Sequence, residues 1–476
     1  MSLERVLPSA PLERPDAAPY GGNGSGLDAA RKLGPAAVIE DLGAAGLRGR
    51  GGAGFPTATK WSAALSGRSH ELPATVVVNA AEGEPGSFKD RALLRRNPYA
   101  VLEGALIAAF VVGADRVVIG TRASFVDEIA IVDRAITEIM DAGWADDVSV
   151  EINPGPEEYL VGEETALLEV LDGRPPFPRV APPYRRGVDD VPAAEVDEVE
   201  PPATLVSNVE TFAHVAAIMA EGPRWFREFG TDASPGTFVC TVSGPGVKRA
   251  GVGEYALGTP LQTIVHELGG GVHDGHEIVA VLPGVANQVV QGSQLATPAT
   301  YEDMKAIGSG LGCGAYLVYD DRTDLTALAE GVSRFLAVES CGQCTPCKQD
   351  GVAISRLLDR VRTSEGEPLD LLAIAENLET ITNSARCFLA EQHQRVVGSI
   401  MQCCEPALRA HVEPGREIPA AEPVLIAPIV RLDEGVAEID EHFRRKQPDW
   451  TFDAVDSGQA PADRYGESRP HHQPPE

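Results

Sequence analysis

The sequence is short of positive charge and of long apolar stretches. Lys and Arg together number 40 against 70 Asp and Glu, which gives a formal net charge of −30. Nucleic-acid phosphates and anionic lipid surfaces would repel such a chain, so we exclude both as its main partners. The longest apolar run, residues 105–112, is far shorter than the roughly 20 residues that cross a bilayer as a helix.

Cysteine is also scarce, with eight residues in a chain of 476. Disulfide frameworks are typical of short secreted chains, so this content argues against one. The sequence begins without a basic leader followed by a hydrophobic segment, which is the pattern of a secretory signal. We therefore expect a cytoplasmic protein whose thiols are reduced.

Half of these cysteines form one group. Cys341, Cys344 and Cys347 have C-x2-C-x2-C spacing between two helical patterns, and Cys387 follows at the end of a third. Four thiolates arranged in this way suit a cubane iron–sulfur cluster. Structural zinc is the competing interpretation, although zinc sites usually pair two short C-x2-4-C knuckles. A disulfide or unliganded thiols are the remaining alternative.

The order of predicted elements indicates an α/β fold followed by two smaller units. Buried strands alternate with helices from residue 74 to residue 152, which is typical of a parallel sheet. A hairpin, a helix and a return strand then indicate a β-grasp-like module, and four apolar stripes at helical spacing indicate a four-helix bundle. The predicted units are a flexible N-terminal arm (1–27), the α/β domain (28–235), the β-grasp-like module (236–323), the helical domain (324–411) and an extended C-terminal tail (412–476).

A glycine-rich loop follows the predicted helix 35–45. Its bare backbone N–H groups can approach a phosphate or a flat ring. The letters match the dinucleotide fingerprint, but that fingerprint follows a strand and this loop follows a helix, so a tight structural turn is the alternative. Three nearby cations favour an anion as ligand. The glycines are Gly49, Gly51, Gly52 and Gly54, and the cations are Arg48, Arg50 and Lys60.

Polar residues also follow the predicted strand 74–78, where open α/β sheets bind ligands. They include Asn79, Glu82 and Glu84. Further along, Glu163 and Glu164 begin a predicted helix, where acidic side chains can simply complement the helix dipole.

These motifs together resemble the flavin- and NADH-binding subunit of respiratory complex I and its relatives in NAD-linked hydrogenases and formate dehydrogenases. The resemblance covers about residues 36–410, with the motifs in the same order. They are Gly49-Arg-Gly-Gly-Ala-Gly-Phe-Pro-Thr, Asn79-Ala-x-Glu-x-Glu-Pro-Gly, Tyr159-x-x-Gly-Glu-Glu-Thr-Ala-Leu, Asn208-Val-Glu-Thr and Glu339-Ser-Cys-Gly-x-Cys-x-Pro-Cys.

The resemblance implies a Rossmann-like domain that binds FMN and NADH, a β-grasp module and a helical [4Fe–4S] domain. It also implies that electrons pass to a thioredoxin-like [2Fe–2S] subunit and further iron–sulfur subunits in other chains of a larger redox complex. By position it assigns catalysis to Glu84 and Glu164, the cluster to Cys341, Cys344, Cys347 and Cys387, and cofactor binding to Gly49, Arg50, Gly51, Gly52, Gly54, Phe55, Lys60, Asn79, Glu82, Tyr159, Gly162, Glu163, Tyr184 and Asn208.

The chain departs from this pattern mainly around the nucleotide. Two hypotheses follow: an NADH-linked flavin oxidoreductase, which the intact glutamates favour, and a non-catalytic electron-transfer or scaffold subunit, which the alanine substitutions favour. The departures are Ala58 for Gly, Ala63 for an adenine-stacking aromatic, Ala81 for Asp, Val161 for Cys, Ala181 for Lys, Tyr184 for Phe and Ser207 for Asn.

Overall fold

The computed structural model describes residues 2–69, 72–188, 202–415, 418–452 and 455–467. The acidic run within the proline-rich segment and the paired histidines near the end of the chain lie outside these ranges. Within them, no helix is both long enough and apolar enough to span a membrane.

The first sheet is four-stranded and entirely parallel, in the order β3-β2-β1-β4. Strand β1 is buried along residues 74–78 because helices cover both faces of the sheet, which confirms the predicted Rossmann-like α/β architecture. The elements of this region are α1 (Ser25–Leu33), α2 (Pro35–Ala45), α3 (Thr57–Ser66), β1 (Ala74–Asn79), α4 (Lys89–Arg96), α5 (Pro98–Val112), β2 (Ala114–Arg122), α6 (Val126–Asp141), β3 (Ser149–Gly155), α7 (Glu164–Leu171), β4 (Thr204–Asn208), α8 (Val209–Glu221) and α9 (Pro223–Phe226).

The second sheet has five strands in the order β6-β5-β9-β7-β8. Strands β5 and β9 are parallel and the other neighbours are antiparallel, and helix α10 packs against β5 and β6. The topology confirms the predicted β-grasp-like module. Its elements are β5 (Thr237–Ser243), β6 (Gly251–Ala256), α10 (Leu261–Gly269), β7 (Ile278–Pro283), β8 (Val290–Gln291), α11 (Tyr301–Ala306) and β9 (Ala315–Asp320).

The helical region buries the apolar stripes read from the sequence. Leu328, Val332 and Phe335 of α12 are all at most 1% exposed and form part of one core. A π-helical turn over residues 393–397 joins α15 to α16. The helices are α12 (Leu325–Glu339), α13 (Thr345–Arg362), α14 (Pro368–Thr380), α15 (Leu389–Gln392), α16 (Gly398–Cys403) and α17 (Glu405–His411).

The N-terminal segment is packed, in contrast to the predicted flexible arm. One buried carboxylate, that of Glu254 on β6, accepts the backbone N–H groups of Arg5, Val6 and Leu7 at 2.9, 2.9 and 3.0 Å. The Arg5 guanidinium also stacks on Trp225, 4.0 Å from the ring centroid. The physical reason is a long-range anion–amide contact, which no local pattern in residues 1–27 reveals.

The C-terminal segment is likewise folded against the molecule instead of forming the predicted extended tail. Its hairpin, β10 (Ile429–Asp433) with β11 (Val436–Ile439), is followed by the short helix α18 (Pro461–Glu467). Lys446 makes a buried ion pair with Glu339 at 2.6 Å. The indole N–H of Trp450 donates to the Val338 carbonyl at 2.9 Å. The C-terminal segment packs in this way because it buries apolar side chains and because the buried Lys446 is paired with Glu339.

We expect Glu254→Ala to release the N-terminal segment, because the substitution leaves buried backbone N–H groups without acceptors. An unsatisfied buried donor costs about 1–3 kcal/mol. Thermal unfolding should show a lower midpoint, and limited proteolysis should cut within the first 20 or so residues. Glu277→Ala, which removes an exposed carboxylate from the same module, is the matched control. Equal midpoints and cleavage patterns for the two variants would contradict this account.

Candidate functional site

The glycine loop lies at the carboxyl ends of β1 and β4. The two ends of the loop are joined by a hydrogen bond, in which the Gly49 N–H donates to the Phe55 carbonyl at 2.8 Å. Gly54 has a φ of +63°, and a Cβ there would come within 2.3 Å of the Tyr301 ring. Gly51 packs against the Asn208 side chain. The loop is therefore a fixed turn whose backbone borders the place where open α/β sheets bind ligands.

The arginines of this loop have other partners, so the predicted cradle of Arg48, Arg50 and Lys60 is incomplete. The Arg50 guanidinium is buried, donates to the Thr237 carbonyl at 2.9 Å and lies 3.7 Å from Glu210. Arg48 pairs with Glu302 at 2.8 Å. A buried carboxylate beside the loop requires a counter-ion, and Arg50 contributes to it together with Lys89.

Lys60 is the cation of the three that faces another predicted site residue. It extends from α3 and forms an ion pair with Glu164 at the start of α7. Its side chain is 25% exposed and that of Glu164 is 42% exposed. The structure thus brings together one predicted phosphate ligand and one predicted catalytic carboxylate in an accessible pair.

The two asparagines tie the strand ends to their surroundings. The Asn79 amide donates to the Gly162 carbonyl at 2.8 Å, which holds the Tyr159–Gly162 turn against β1. Asn208 accepts from the Glu210 N–H at 3.0 Å as the N-cap of α8, and its amide donates to Asp90 at 2.7 Å. These contacts position both side chains at the edge of the sheet.

Glu82 is buried beside Arg91. It accepts from the Ser87 hydroxyl at 2.5 Å and from the Arg91 Nε at 3.2 Å. Burial on its own would raise the pKa of Glu82, but the Arg91 guanidinium and the Ser87 hydroxyl lower it below the ordinary value. Glu82 is therefore held by contacts within the protein, and its role toward a cofactor stays a prediction.

A buried network under the loop joins the polar run that follows β1 to the start of α8, a connection that the sequence did not predict. Lys89, which is 1% exposed, reaches Asp90 at 2.6 Å, Asn208 at 3.0 Å and Glu210 at 3.1 Å. Burial raises the pKa of Asp90 to about 6, whereas Lys89 overcomes the effect of burial on Glu210 and lowers its pKa to about 2. The available signal was the Lys-Asp-Arg run that opens α4 beside the polar strand ends.

Glu84 lies where three parts of the chain meet. Its carboxylate accepts from the Tyr159 hydroxyl at 2.6 Å and from the Val285 N–H at 2.5 Å. Gln392 of the helical region donates to the same Tyr159 oxygen at 2.9 Å. Burial raises the pKa of Glu84 above the ordinary value for a carboxyl. Val285 and Gln392 were not predicted, because they carry no motif and reach the site from distant segments.

Three further predicted residues are a glutamate that caps a helix and two aromatic residues whose rings are exposed. The Glu163 carboxylate accepts from the N–H groups of Thr165 and Ala166 at 3.0 and 2.9 Å, so it caps α7. Phe55 and Tyr184 are 52% and 39% exposed, and both rings are therefore free to stack on a ligand. Their roles toward the nucleotide stay predictions.

The four predicted cysteines line one cavity at the end of the helical region. Cys341 and Cys347 are buried, and Cys344 and Cys387 are half-buried. Lys348 holds the loop by donating to the carbonyls of Ala337 and Ser340 at 2.9 and 2.8 Å. All eight cysteines of the chain are free thiols, so the structure contains no disulfide between them.

The spacing of these thiols distinguishes a cluster from a single ion. Among the described residues, the one group of three or more potential metal ligands within 4.8 Å of one another is His276, Asp320 and Asp321. No three of the cavity's sulfurs are therefore that close. Tetrahedral zinc, with Zn–S bonds of about 2.3 Å, would need sulfurs about 3.8 Å apart. A wider group such as a [4Fe–4S] cubane fits the cavity better.

Comparison with known proteins gives matches over both sites. The model of the Nuo51 FMN-binding domain matches residues 42–217, and that of the NADH-ubiquinone oxidoreductase-F iron-sulfur binding region matches residues 327–411. The second NADH-quinone oxidoreductase F subunit of Rhizobium meliloti (strain 1021) is 34% identical over 406 residues, covering 83% of this chain and 94% of the relative. The corresponding F subunit of Rhodobacter capsulatus is 35% identical over 365 residues, covering 74% and 82%.

A solved structure is similar as well. The crystal structure of an NAD+-reducing [NiFe]-hydrogenase in the H2-reduced state aligns with a TM-score of 0.73 at 32% identity. The alignment covers 88% of this chain and 68% of the hydrogenase chain. The family models confirm FMN and a [4Fe–4S] cluster as the cofactors of these two regions.

We expect anaerobically purified protein to contain about four iron atoms per chain, the content of one cubane. Cys387→Ser should remove most of this iron, since it deletes the one thiol supplied from outside the C-x2-C-x2-C motif. Cys403→Ser, which changes a half-buried thiol outside the cavity, is the matched control and should keep the iron. Tightly bound zinc without iron-dependent visible absorbance would contradict the assignment.

We expect denaturation to release FMN and not FAD, and Lys60→Ala to weaken flavin retention. The substitution removes a charge-assisted contact to phosphate and leaves Glu164 unpaired next to an anion. Adding Glu164→Gln should restore part of the retention, whereas Lys32→Ala on the exposed side of α1 should have no effect. Flavin content after gel filtration is the measurement, and equal retention in all variants would refute the contact.

Proposed function

The chain belongs to the family of NADH-quinone oxidoreductase F subunits, and from this premise we propose that it passes electrons from NADH through FMN to its [4Fe–4S] cluster and on to partner iron–sulfur subunits. It is an oxidoreductase by membership of that family. When bound, FMN accepts a hydride and gives up electrons singly, which is chemistry that amino-acid side chains do not supply.

The observation that carries this proposal is the position of Tyr159 between the two cofactor regions. Its hydroxyl donates to Glu84 beside the flavin region, and its N–H donates to Glu339 at 2.9 Å, two residues before the first cluster cysteine. Its ring meets the edge of Phe335 at a centroid distance of 5.3 Å. One half-buried residue thus contacts both regions, through its side chain and through its backbone N–H, and so fixes their separation, as electron transfer between two cofactors requires.

The residues around the loop have distinct proposed tasks. Gly51 would offer its backbone N–H group, and Lys60 would neutralise phosphate. Phe55 and Tyr184 would stack the adenine and so hold the nicotinamide end against the flavin. Stacking of a base on one aromatic ring contributes about 1–3 kcal/mol.

The partners that we propose are a thioredoxin-like [2Fe–2S] subunit and further iron–sulfur subunits of a cytoplasmic redox complex. Cys344 and Cys387 support this, because the half-buried side of the cavity opens toward solvent there. An accepting centre docked on that side would lie closer to the cluster than one docked elsewhere. The word "subunit" in the relatives' names agrees with an assembly of several chains.

A second candidate is an electron-transfer subunit that keeps the cluster without using NADH. Its support comes from Ala63 and Ala181, which lack the ring and the cation expected around the nucleotide. Two features argue against this candidate: Glu84 keeps its contacts with Tyr159 and Val285, and the Lys60–Glu164 pair is accessible.

We expect NADH to reduce the bound flavin. Its apparent affinity should be weaker than in relatives that carry an aromatic ring in place of Ala63 and a lysine in place of Ala181. Ala63→Phe and Ala181→Lys should each tighten binding by about tenfold or less, since about 1.4 kcal/mol corresponds to a factor of ten. The measurement is anaerobic stopped-flow bleaching of flavin absorbance against NADH concentration. Ala142→Phe, at an exposed position at the end of α6, controls for an added ring. No bleaching by millimolar NADH or NADPH in FMN-replete protein would leave only the second candidate.

A further inference from the structure

Residues 181–187 form a tight turn that presents cationic side chains to solvent. The N–H groups of Arg185 and Arg186 both donate to the Pro182 carbonyl, at 2.9 and 3.1 Å. The side chains of Tyr184, Arg185 and Arg186 are all exposed. A stackable ring is thus followed directly by two guanidinium groups in a chain of net charge −30.

The turn is held in place by a buried arginine. Arg179 donates to the carbonyl of Gly187 at 2.8 Å and to Asp172 at 2.8 Å, at the end of α7. The Thr204 N–H of β4 donates to the Pro183 carbonyl at 3.1 Å. The turn is therefore fixed both to the helix that carries Glu164 and to a strand of the parallel sheet.

The turn also lies against α3, the helix of Lys60 and Ala63. A Cβ on Gly67, at the end of α3, would come within 2.7 Å of the Tyr184 carbonyl and 3.2 Å of the Ala63 carbonyl. Lys60 is already paired with Glu164. A nucleotide whose adenine stacks on Tyr184 would therefore meet Arg185 as a neighbouring cation.

We propose that this turn binds the 2′-phosphate of NADP(H), so that the chain prefers the phosphorylated nicotinamide nucleotide. The inference rests on the proposed function, since it takes Tyr184 as the adenine-stacking ring. In dinucleotide sites, an arginine near the adenine ribose accommodates a 2′-phosphate that NAD lacks. A guanidinium also binds phosphate oxygens through two N–H groups at once, which a hydroxyl cannot exploit to the same degree.

The same cations could instead contact the pyrophosphate that both nucleotides share. A contact to the 2′-phosphate and a contact to the pyrophosphate can be distinguished by experiment, because only the first makes NADP(H) bind more tightly than NAD(H). The binding test therefore compares 2′-phospho-ADP-ribose with ADP-ribose by calorimetric titration of the purified holoprotein. These fragments carry no nicotinamide, so the result does not depend on flavin reduction. Stopped-flow reduction by NADPH and by NADH is measured alongside.

We expect 2′-phospho-ADP-ribose to bind at least tenfold more tightly than ADP-ribose in the wild type, with a ratio that falls as salt is raised. Arg185→Gln should reduce the ratio to about three or less. Arg134→Gln, which removes an exposed cation from α6, is the matched control and should leave the ratio unchanged.

A wild-type ratio near one, or tighter binding of ADP-ribose, would overturn the inference while NADH-driven bleaching still supports the proposed function. Equal weakening of both fragments by Arg185→Gln would also overturn it and would indicate a pyrophosphate contact. Binding of neither fragment, together with no bleaching by either nucleotide, would overturn the inference and the proposed function together. Melting temperatures of both variants exclude misfolding as the cause of a changed ratio.

Discussion

The half-buried carboxylate of Glu84 is the contact on which the placement of three parts of the chain depends. It follows the first strand of the parallel sheet, and it accepts hydrogen bonds from Tyr159 and from the Val285 N–H of the β-grasp-like module. Gln392 of the helical region joins the same group through the Tyr159 hydroxyl. Losing this acceptor would leave buried donors without partners, at about 1–3 kcal/mol each. One side chain that borders the flavin region therefore holds three parts of the chain in register.

Tyr159 connects Glu84 to the segment that precedes the cluster cysteines. Its N–H is held by Glu339, and Glu339 is in turn paired with Lys446 from the C-terminal segment. Both members of this pair are at most 2% exposed, so each needs the other to remain charged inside the protein. Tyr159, which lies between the two cofactor regions, is consequently held both at its side-chain hydroxyl and at its backbone N–H. Rigid spacing of this kind suits electron transfer, whose rate depends on the distance between centres.

Local patterns were sufficient for the parts of the fold that local interactions determine. The α12 stripe and the cysteine spacing could be read directly, because helical periodicity and ligand spacing are properties of short segments. The N-terminal and C-terminal segments could not, since Glu254 and Glu339 hold them from more than 100 residues away. The buried contact of Arg50 was not predicted for the same reason: its proximity in sequence to the glycines is local, whereas its partner Glu210 is not. The structure brings the four cysteines to one cavity, and their role as cluster ligands stays a prediction.

The departures from the family pattern fall into two physical classes. Ala81 and Val161 stand where the resemblance expects Asp and Cys, and both are buried in one apolar cluster. Two polar-to-apolar changes in contact with the same core avoid leaving an unsatisfied polar group in that core. Ala63 and Ala181 are instead half-buried at the rim, where a missing ring or cation costs the fold little. Because the nucleotide is proposed to bind at this rim, whereas Glu84 holds the cofactor regions together, we expect these changes to affect nucleotide binding without disturbing the path between the two sites.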